Sequence, residues 1–323
     1  MNDIPLVRLQ NLTRAYRIGR GLGNPTQTLL AVDGVDLDFA PGRTLGLVGE
    51  SGCGKSTLGR LTVGLERPTA GQVLYRNRPA WTGSKAVTDT RRAFQMIFQD
   101  PFSSLNPRKK IGRAIEEGLI IHGYGSANKR RNRVAEIMDQ VGLRPGHADR
   151  YPHEFSGGQR QRVSIARALA LEPEILVCDE PVSALDVSIQ AQIINLFREL
   201  QKSLGLTLLF ISHDLAVVRT MSHDLAVMYL GRIVEKGPSP SLYTTPAHPY
   251  TQALLAAVLV PDPDRTSEPT ILEGEIPSPL HPPDGCGFHP RCPERLPACS
   301  THRPPWISLG ANHEVRCWLY AKQ

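Results

Sequence analysis

With 323 residues, 41% of them apolar and 21% charged, the chain has a globular composition and the length for one large domain with an appendage, or two modest ones. That balance excludes a disordered or fibrous protein, and no apolar run approaches the roughly 18 residues of a bilayer span, the longest, Ala253 to Val260, being about half of that. Thirty-seven basic against thirty-one acidic residues leave +6, which permits an anionic partner without demanding one.

The opening Met1-Asn2-Asp3-Ile4-Pro5 lacks a basic region followed by an apolar one, so a cytosolic protein with at most peripheral membrane contact is expected. Thr44 to Val48 reads as a strand buried on both faces. It runs into Gly49-Glu50-Ser51-Gly52-Cys53-Gly54-Lys55-Ser56, a complete G-x-x-x-x-G-K-[ST] string, and then into the helical period of Leu58 to Leu65. Strand, glycine loop and helix are the context in which backbone N–H groups converge on phosphate oxygens. Lys55 would then reach the β- and γ-phosphates of a nucleotide and Ser56 would hold Mg²⁺.

From about Arg91 to Tyr151 the chain is basic and reads as mostly helical, with Val134, Ile137, Met138 and Val141 as one apolar stripe: a helical insertion into the core. Phe155-Ser156-Gly157-Gly158-Gln159 opens a further helix, with Ser156 as its N-cap and two glycines exposing N–H groups at the positive end. As a bare string this is an ordinary loop signal, and it gains meaning from its neighbours. Ile175 to Cys178 is a second buried strand, and Asp179-Glu180 stands at its carboxyl end. Beside a phosphate loop, Asp179 is placed to hold Mg²⁺ and Glu180 to polarise an attacking water, whereas a lone Asp-Glu pair is usually solvated surface.

A helix over Val187 to Leu204, with Ile189, Ile193, Phe197, Leu200 and Leu204 at helical spacing, leads to a third buried strand, Leu206 to Ile211. The fold class is therefore α/β, a doubly wound parallel sheet. Ser212 to Val217 recurs as Ser222 to Val227, too short for a structural repeat, and forces a choice between two histidines. His213 follows the carboxyl end of a strand and opens at the edge that carries Lys55 and Glu180; His223 precedes a strand and belongs at the opposite edge. After about Thr251 proline becomes frequent, and an irregular, loop-built tail is expected. Cys286, Cys292, Cys299 and Cys317 crowd into it with the spacing C-x5-C-x6-C-x17-C, which in a cytosolic chain suggests a metal or cluster. The C-x2-C hook usual for zinc is absent, and Cys292-Pro293 is like the Cys-Pro of ferredoxin-type ligands. Zinc and unligated or disulfide-bonded cysteines stay open.

In the order and spacing of these pieces, residues 6 to 250 resemble the nucleotide-binding subunits of ABC transporters. Gly49 to Ser56 is similar to the Walker A loop, Phe155 to Gln159 to the signature motif with Phe where Leu is commoner, and Ile175 to Asp179 to Walker B with Cys178 at an apolar position. Ser183-Ala184-Leu185-Asp186 is similar to the D-loop, and Phe98-Gln99-Asp100-Pro101 to the Q-loop. The resemblance implies a P-loop NTPase core with an antiparallel β subdomain and an inserted helical subdomain, and ATP with Mg²⁺ as ligands. It implies Glu180, His213 and Gln99 as catalytic residues, and Tyr16 stacked on adenine. The ATP site would comprise Gly49, Glu50, Ser51, Gly52, Cys53, Gly54, Lys55, Ser56 and Thr57. Ser156, Gly157, Gly158, Gln159 and Asp186 of a second cassette would complete it, and Ser56, Gln99 and Asp179 would hold the metal.

Ser103-Ser104-Leu105-Asn106-Pro107-Arg108 and Pro246-Ala247-His248-Pro249-Tyr250-Thr251-Gln252-Ala253-Leu254-Leu255 narrow the resemblance to the oligopeptide and dipeptide importer ATPases. That branch implies a [4Fe–4S] cluster on the four tail cysteines, a homologous second ATPase in a heterodimer, two permeases, a solute-binding protein, and a place at the cytoplasmic face of the bacterial inner membrane, with no nucleic acid partner. The expected organisation is a core over residues 1–90 and 161–250, a helical subdomain over 91–160, and a Cys-rich C-terminal domain over 251–323. Soluble ABC ATPases of DNA repair carry a long coiled coil between the Walker A loop and the signature, and translation-associated ones carry two cassettes; neither is present here. A simple P-loop kinase has no use for Ser156 to Gln159.

Overall fold

The computed structural model describes residues 4–19, 27–82, 85–86, 90–100, 105–257, 274–310 and 312–321. Strands β1 (Val7–Ile18), β2 (Gln27–Phe39) and β3 (Thr44–Val48) precede helix α1 (Lys55–Thr62). Then come β4 (Ala70–Tyr75), β5 (Arg78–Pro79), β6 (Trp81–Thr82), β7 (Lys85–Ala86), α2 (Thr90–Ala93) and β8 (Phe94–Ile97). Three helices follow, α3 (Ile111–Ile121), α4 (Ala127–Gln140) and α5 (Gly157–Leu169). Beyond them lie β9 (Ile175–Asp179), α6 (Val187–Leu204), β10 (Thr207–Ile211), α7 (Leu215–Met221), β11 (Asp224–Tyr229), β12 (Arg232–Pro238), α8 (Ser239–Thr244), α9 (Pro249–Ala256), β13 (Ile307–Gly310) and β14 (His313–Val315).

Among the described residues the larger sheet has the order β13-β14-β12-β11-β3-β10-β9-β8. The run from β11 to β8 is parallel. Every residue of β3, β9 and β10 is buried, which is why these strands read as unbroken apolar runs. Helix α6 buries Ile193, Leu196, Phe197 and Leu200 against the sheet and stops at Gly205, whose φ of 63° suits the left-handed cap. A second, antiparallel sheet of order β2-β1-β4-β5 lies over α1. The helices α3, α4 and α5 pack together, and Val134, Ile137, Met138 and Val141 are all buried, as their spacing predicts. No helix among the described residues is long and apolar enough to cross a membrane.

Two readings need correction. The stretch expected to be mostly helical from Arg91 contains β8, an edge strand paired in parallel with β9. Four residues are too few to show a strand period. The Pro-rich tail is not wholly irregular, since β13 and β14 form a hairpin that extends the main sheet through Glu235↔Val315 and Lys236↔Glu314. Pro101, Ser103, Ser104 and residues 258–273, which the sequence reading also drew on, lie outside the described residues.

The tail is fastened at a buried carboxylate. Glu235, with no solvent exposure, accepts hydrogen bonds from the N–H groups of Ala247 (2.7 Å) and His248 (2.9 Å) and pairs with His313 Nε2 (2.7 Å). His248 itself caps α9, its Nδ1 accepting from the Tyr250 N–H, and among the described residues its Nε2 has no partner. Burial drives its imidazole pKa down to about 3. The unfolded chain therefore takes up a proton below about pH 6.5 that the native state refuses until about pH 3, and stability falls as pH falls through that window. We expect His248→Asn to remove a slope of about 1.4 kcal/mol per pH unit from the wild-type stability profile. Denaturant midpoints that fall in parallel for the two proteins between neutral and acid pH would contradict this.

Candidate active site

The carboxyl ends of β3, β9 and β10 open at one edge of the sheet, where an α/β fold gathers its chemistry. The loop from β3 to α1 is shaped by glycines. Gly54 has φ of 107°, and a Cβ there would lie 2.0 Å from the Ala31 carbonyl oxygen; at Gly49 it would lie 2.1 Å from the Met228 carbonyl oxygen. Lys55 is buried, and its Nζ donates to the carbonyls of Gly49 (2.7 Å) and Glu50 (2.9 Å), so the ammonium is held inside the loop it would lend to a phosphate. Ser51 is exposed, a side chain at Gly52 would meet open space, and Cys53 is buried with its thiol pushed up by burial. Thr57 lies in the first turn of α1.

Ser56 Oγ donates to Asp179 Oδ1 at 2.9 Å. Burial raises the Asp179 carboxyl pKa while the Ser56 bond opposes the rise. A hydroxyl and a buried carboxylate facing each other form a hard-oxygen pair that suits Mg²⁺. The next residue, Glu180, has φ of 47°, a strained value for a residue with a side chain, and its N–H is fixed to the Ile211 carbonyl at 2.9 Å. That turn aims its carboxylate at two partners. Gln99 Nε2 donates to Oε2 at 2.8 Å, and His213 Nδ1 lies 3.2 Å from the same oxygen. Gln99 and His213 thus converge on Glu180 from the loops after β8 and β10. His223 is elsewhere. Its Nδ1 accepts from the Thr44 N–H, and its N–H bonds the Thr44 carbonyl, at the far end of β3.

The remaining candidates are spread more widely. Ser156 caps α5 reciprocally, its Oγ accepting from the Gln159 N–H (3.4 Å) while Gln159 Oε1 accepts from the Ser156 N–H (3.0 Å). Gly157 lies against Leu185, and Gly158 lies so near Ile189 that a Cβ would come within 2.5 Å of its Cγ2. Helix α5 thus packs on the Asp186 turn and α6. Asp186 takes the N-cap position of α6 without a side-chain cap bond. Tyr16 near the end of β1 bonds Glu66 through its hydroxyl, and the Arg14 guanidinium lies 4.5 Å from its ring centre.

The four tail cysteines are all free thiols. The Cys286 N–H donates to the Cys299 carbonyl at 2.8 Å. Burial first, then its three companions, push the Cys317 thiol up to about 12; burial and its neighbours Cys299 and Cys292 also raise Cys286. The four therefore lie within electrostatic reach of one another, although among the described residues no group of three or more His, Cys, Asp or Glu side chains stands arranged to hold a metal ion.

Sequence reasoning missed how the tail meets the glycine loop. The Tyr250 hydroxyl accepts from the Glu50 N–H at 2.8 Å, and Arg291 grips the Glu50 carboxylate with Nη1 and Nη2 at 2.8 and 3.0 Å. No motif spacing signals a pair 241 residues apart.

Residues 32–183 match the ABC transporter family, and residues 234–299 match the oligopeptide/dipeptide transporter C-terminal region. A putative peptide import ATP-binding protein of Brucella ovis is 49% identical over 98% of either chain. The di/tripeptide transport ATP-binding protein of Pseudomonas aeruginosa is 50% identical over 95% of either chain, and the dipeptide transport ATP-binding protein of Escherichia coli is 48% identical over 95% of this chain and 92% of its own. Among solved structures, a dimeric ATP-binding cassette in a post-hydrolysis state with ADP and Pi matches with TM-score 0.62, 30% identity and coverage of 72% of this chain and 98% of its own. A Clostridium perfringens component of an ABC transporter complex matches with TM-score 0.64, 25% identity and coverage of 80% and 96%.

Proposed function

We propose, from the premise that this chain belongs to the ABC transporter family of ATP-binding subunits, that it hydrolyses ATP to energise import of a di- or oligopeptide. The observation that carries the reading is the carboxyl-end constellation: Glu180 gripped by Gln99 and His213, beside Ser56 on Asp179 and the loop that holds Lys55. The C-terminal match to the oligopeptide/dipeptide region supports the branch.

The loop N–H groups, the N-terminus of α1 and Lys55 bind the phosphates, and Tyr16 stacks on the adenine. Lys55, whose Nζ donates to the Gly49 and Glu50 carbonyls, sits inside the loop that would present it to the phosphate oxygens. Ser56 and Asp179, with Gln99, would hold Mg²⁺, which would supply positive charge to offset that of the nucleotide phosphates. Glu180, held by Gln99, orients water at the γ-phosphate and accepts its proton, and His213 faces the same phosphate. Ser156, Gly157, Gly158, Gln159 and Asp186 of a homologous, non-identical partner close the site from across a head-to-tail interface. The shared γ-phosphate holds the halves together, and its cleavage releases them. Two permeases and a solute-binding protein complete the importer, with this chain on the cytoplasmic face of the inner membrane. Co-purification with integral permeases and ATP-dependent peptide uptake by the reconstituted assembly test this; a chain recovered only with soluble partners would refute it.

Cys286, Cys292, Cys299 and Cys317 hold a [4Fe–4S] cluster in the same reading. Four thiols carried by one small tail match such a group in number and donor chemistry, although they do not stand arranged around a metal position among the described residues, and when bound it would cross-link loops that have little core of their own. We expect anaerobically purified protein to contain iron and sulfide with broad visible absorbance, and the double variant Cys292→Ser, Cys299→Ser to lack them. Iron-free, colourless wild-type protein would overturn the assignment.

A further inference from the structure

We infer that the C-terminal segment acts on the nucleotide site, with Arg291 and Tyr250 holding the glycine loop in its binding shape through Glu50. The inference rests on the ATPase reading above and assigns Arg291 as a positioning residue for ATP binding.

Glu50 follows Gly49 at the head of the Gly49–Ser56 loop, and its polar groups are all engaged. Its N–H goes to Tyr250, its carbonyl accepts from Lys55, and its carboxylate lies in the two-pronged grip of Arg291. Side-chain exposure of 6% for Arg291 and 20% for Glu50 makes this a largely shielded pair, unlike an ordinary surface ion pair. Its base is firm. Tyr250 and Phe288 are fully or almost fully buried and pack on Tyr229, with ring centres 4.6 Å apart for Tyr229–Tyr250 and 5.4 Å for Tyr229–Phe288. Tyr229 ends β11, and the preceding residue, Met228, presents the carbonyl against which Gly49 lies. The clamp thus reaches from the core sheet to the loop rather than hanging from the loop itself.

Two physical consequences follow for ATP. Gly49, Gly52 and Gly54 all take positive φ, so the free loop has much conformational freedom to lose, and fixing Glu50 beforehand removes part of that loss from binding. The Glu50 carboxylate also stands beside an anion site; Arg291 neutralises it and turns it toward the tail, where it cannot repel a triphosphate. The clamp joins the two regions matched by separate families, since Glu50 lies in residues 32–183 and Tyr250 and Arg291 lie in 234–299.

The test is equilibrium ATP binding and steady-state hydrolysis by the full chain. We expect Arg291→Ala to weaken ATP binding about tenfold and to raise KM in step, with kcat at saturating ATP within about twofold of wild type. Tyr250→Phe, which removes one hydroxyl, should weaken binding by a smaller factor and keeps the test alive if Arg291→Ala does not fold. In a Glu50→Ala background, Arg291→Ala should cause no further loss, because its effect passes through that carboxylate. A folded Arg291→Ala with wild-type ATP affinity, or one whose loss persists undiminished beside Glu50→Ala, would overturn the inference. A wild-type chain that fails to bind ATP would instead overturn the ATPase reading.

Discussion

Glu180→Gln is expected to keep ATP bound and to lose turnover by about a hundredfold to ten-thousandfold, the usual contribution of a positioned general base. The substitution preserves size, and the amide oxygen can still accept from Gln99 Nε2, now 2.8 Å from the carboxylate. It removes the charge that draws a proton from water and that His213 faces at 3.2 Å. The strained φ of 47° at this position and the Glu180 N–H bond to Ile211 belong to the backbone and should survive, so the fold and the nucleotide loop should too. Rates of phosphate release measured beside nucleotide occupancy separate the two effects. Hydrolysis within two- to threefold of wild type would remove Glu180 from the role of base; loss of ATP binding would mean that its main work is structural.

Lys55→Ala is expected to weaken ATP binding about a hundredfold, as befits loss of a charge-assisted donor to phosphate. The side chain is 5% exposed, and its Nζ donates to the Gly49 and Glu50 carbonyls. Alanine therefore also leaves the loop without its internal cross-tie. Titration of wild type and variant with ATP and with ADP distinguishes these effects. A loss confined to phosphate contact should be greater for ATP, which presents the γ-phosphate, whereas a collapsed loop should reject the two equally. Unchanged ATP affinity would sink the assignment of this loop as the phosphate cradle.

Much of the site is legible in the sequence. Gly49 to Ser56 between a buried strand and a helical period leaves little freedom, because Gly49, Gly52 and Gly54 all take the positive φ that favours glycine. The identical strings at Ser212 and Ser222 could be told apart because a parallel sheet puts strand ends of one sense at one edge, and the order of strand and helix along the chain decides which end each string meets. Where the signal was too short it was lost. Phe94–Ile97 is a strand of four residues inside a helical stretch, and the Ile307–Gly310 and His313–Val315 hairpin is hidden among prolines and glycines.

Local chemistry follows from the order of residues alone: the phosphate loop, the carboxylate pair that ends a buried strand, the capped helix start and a tail rich in thiols. It takes the folded chain to show that the tail grips the loop, that Glu50 and not another acid receives Arg291, and that Gln99 and His213 meet on one oxygen of Glu180. The difference is one of range. Caps, glycine turns and apolar periods are set by neighbours within a turn or two of the chain, whereas those pairings depend on the order in which strands line up and on where the aromatic packing of Tyr229, Tyr250 and Phe288 brings a distant segment to rest.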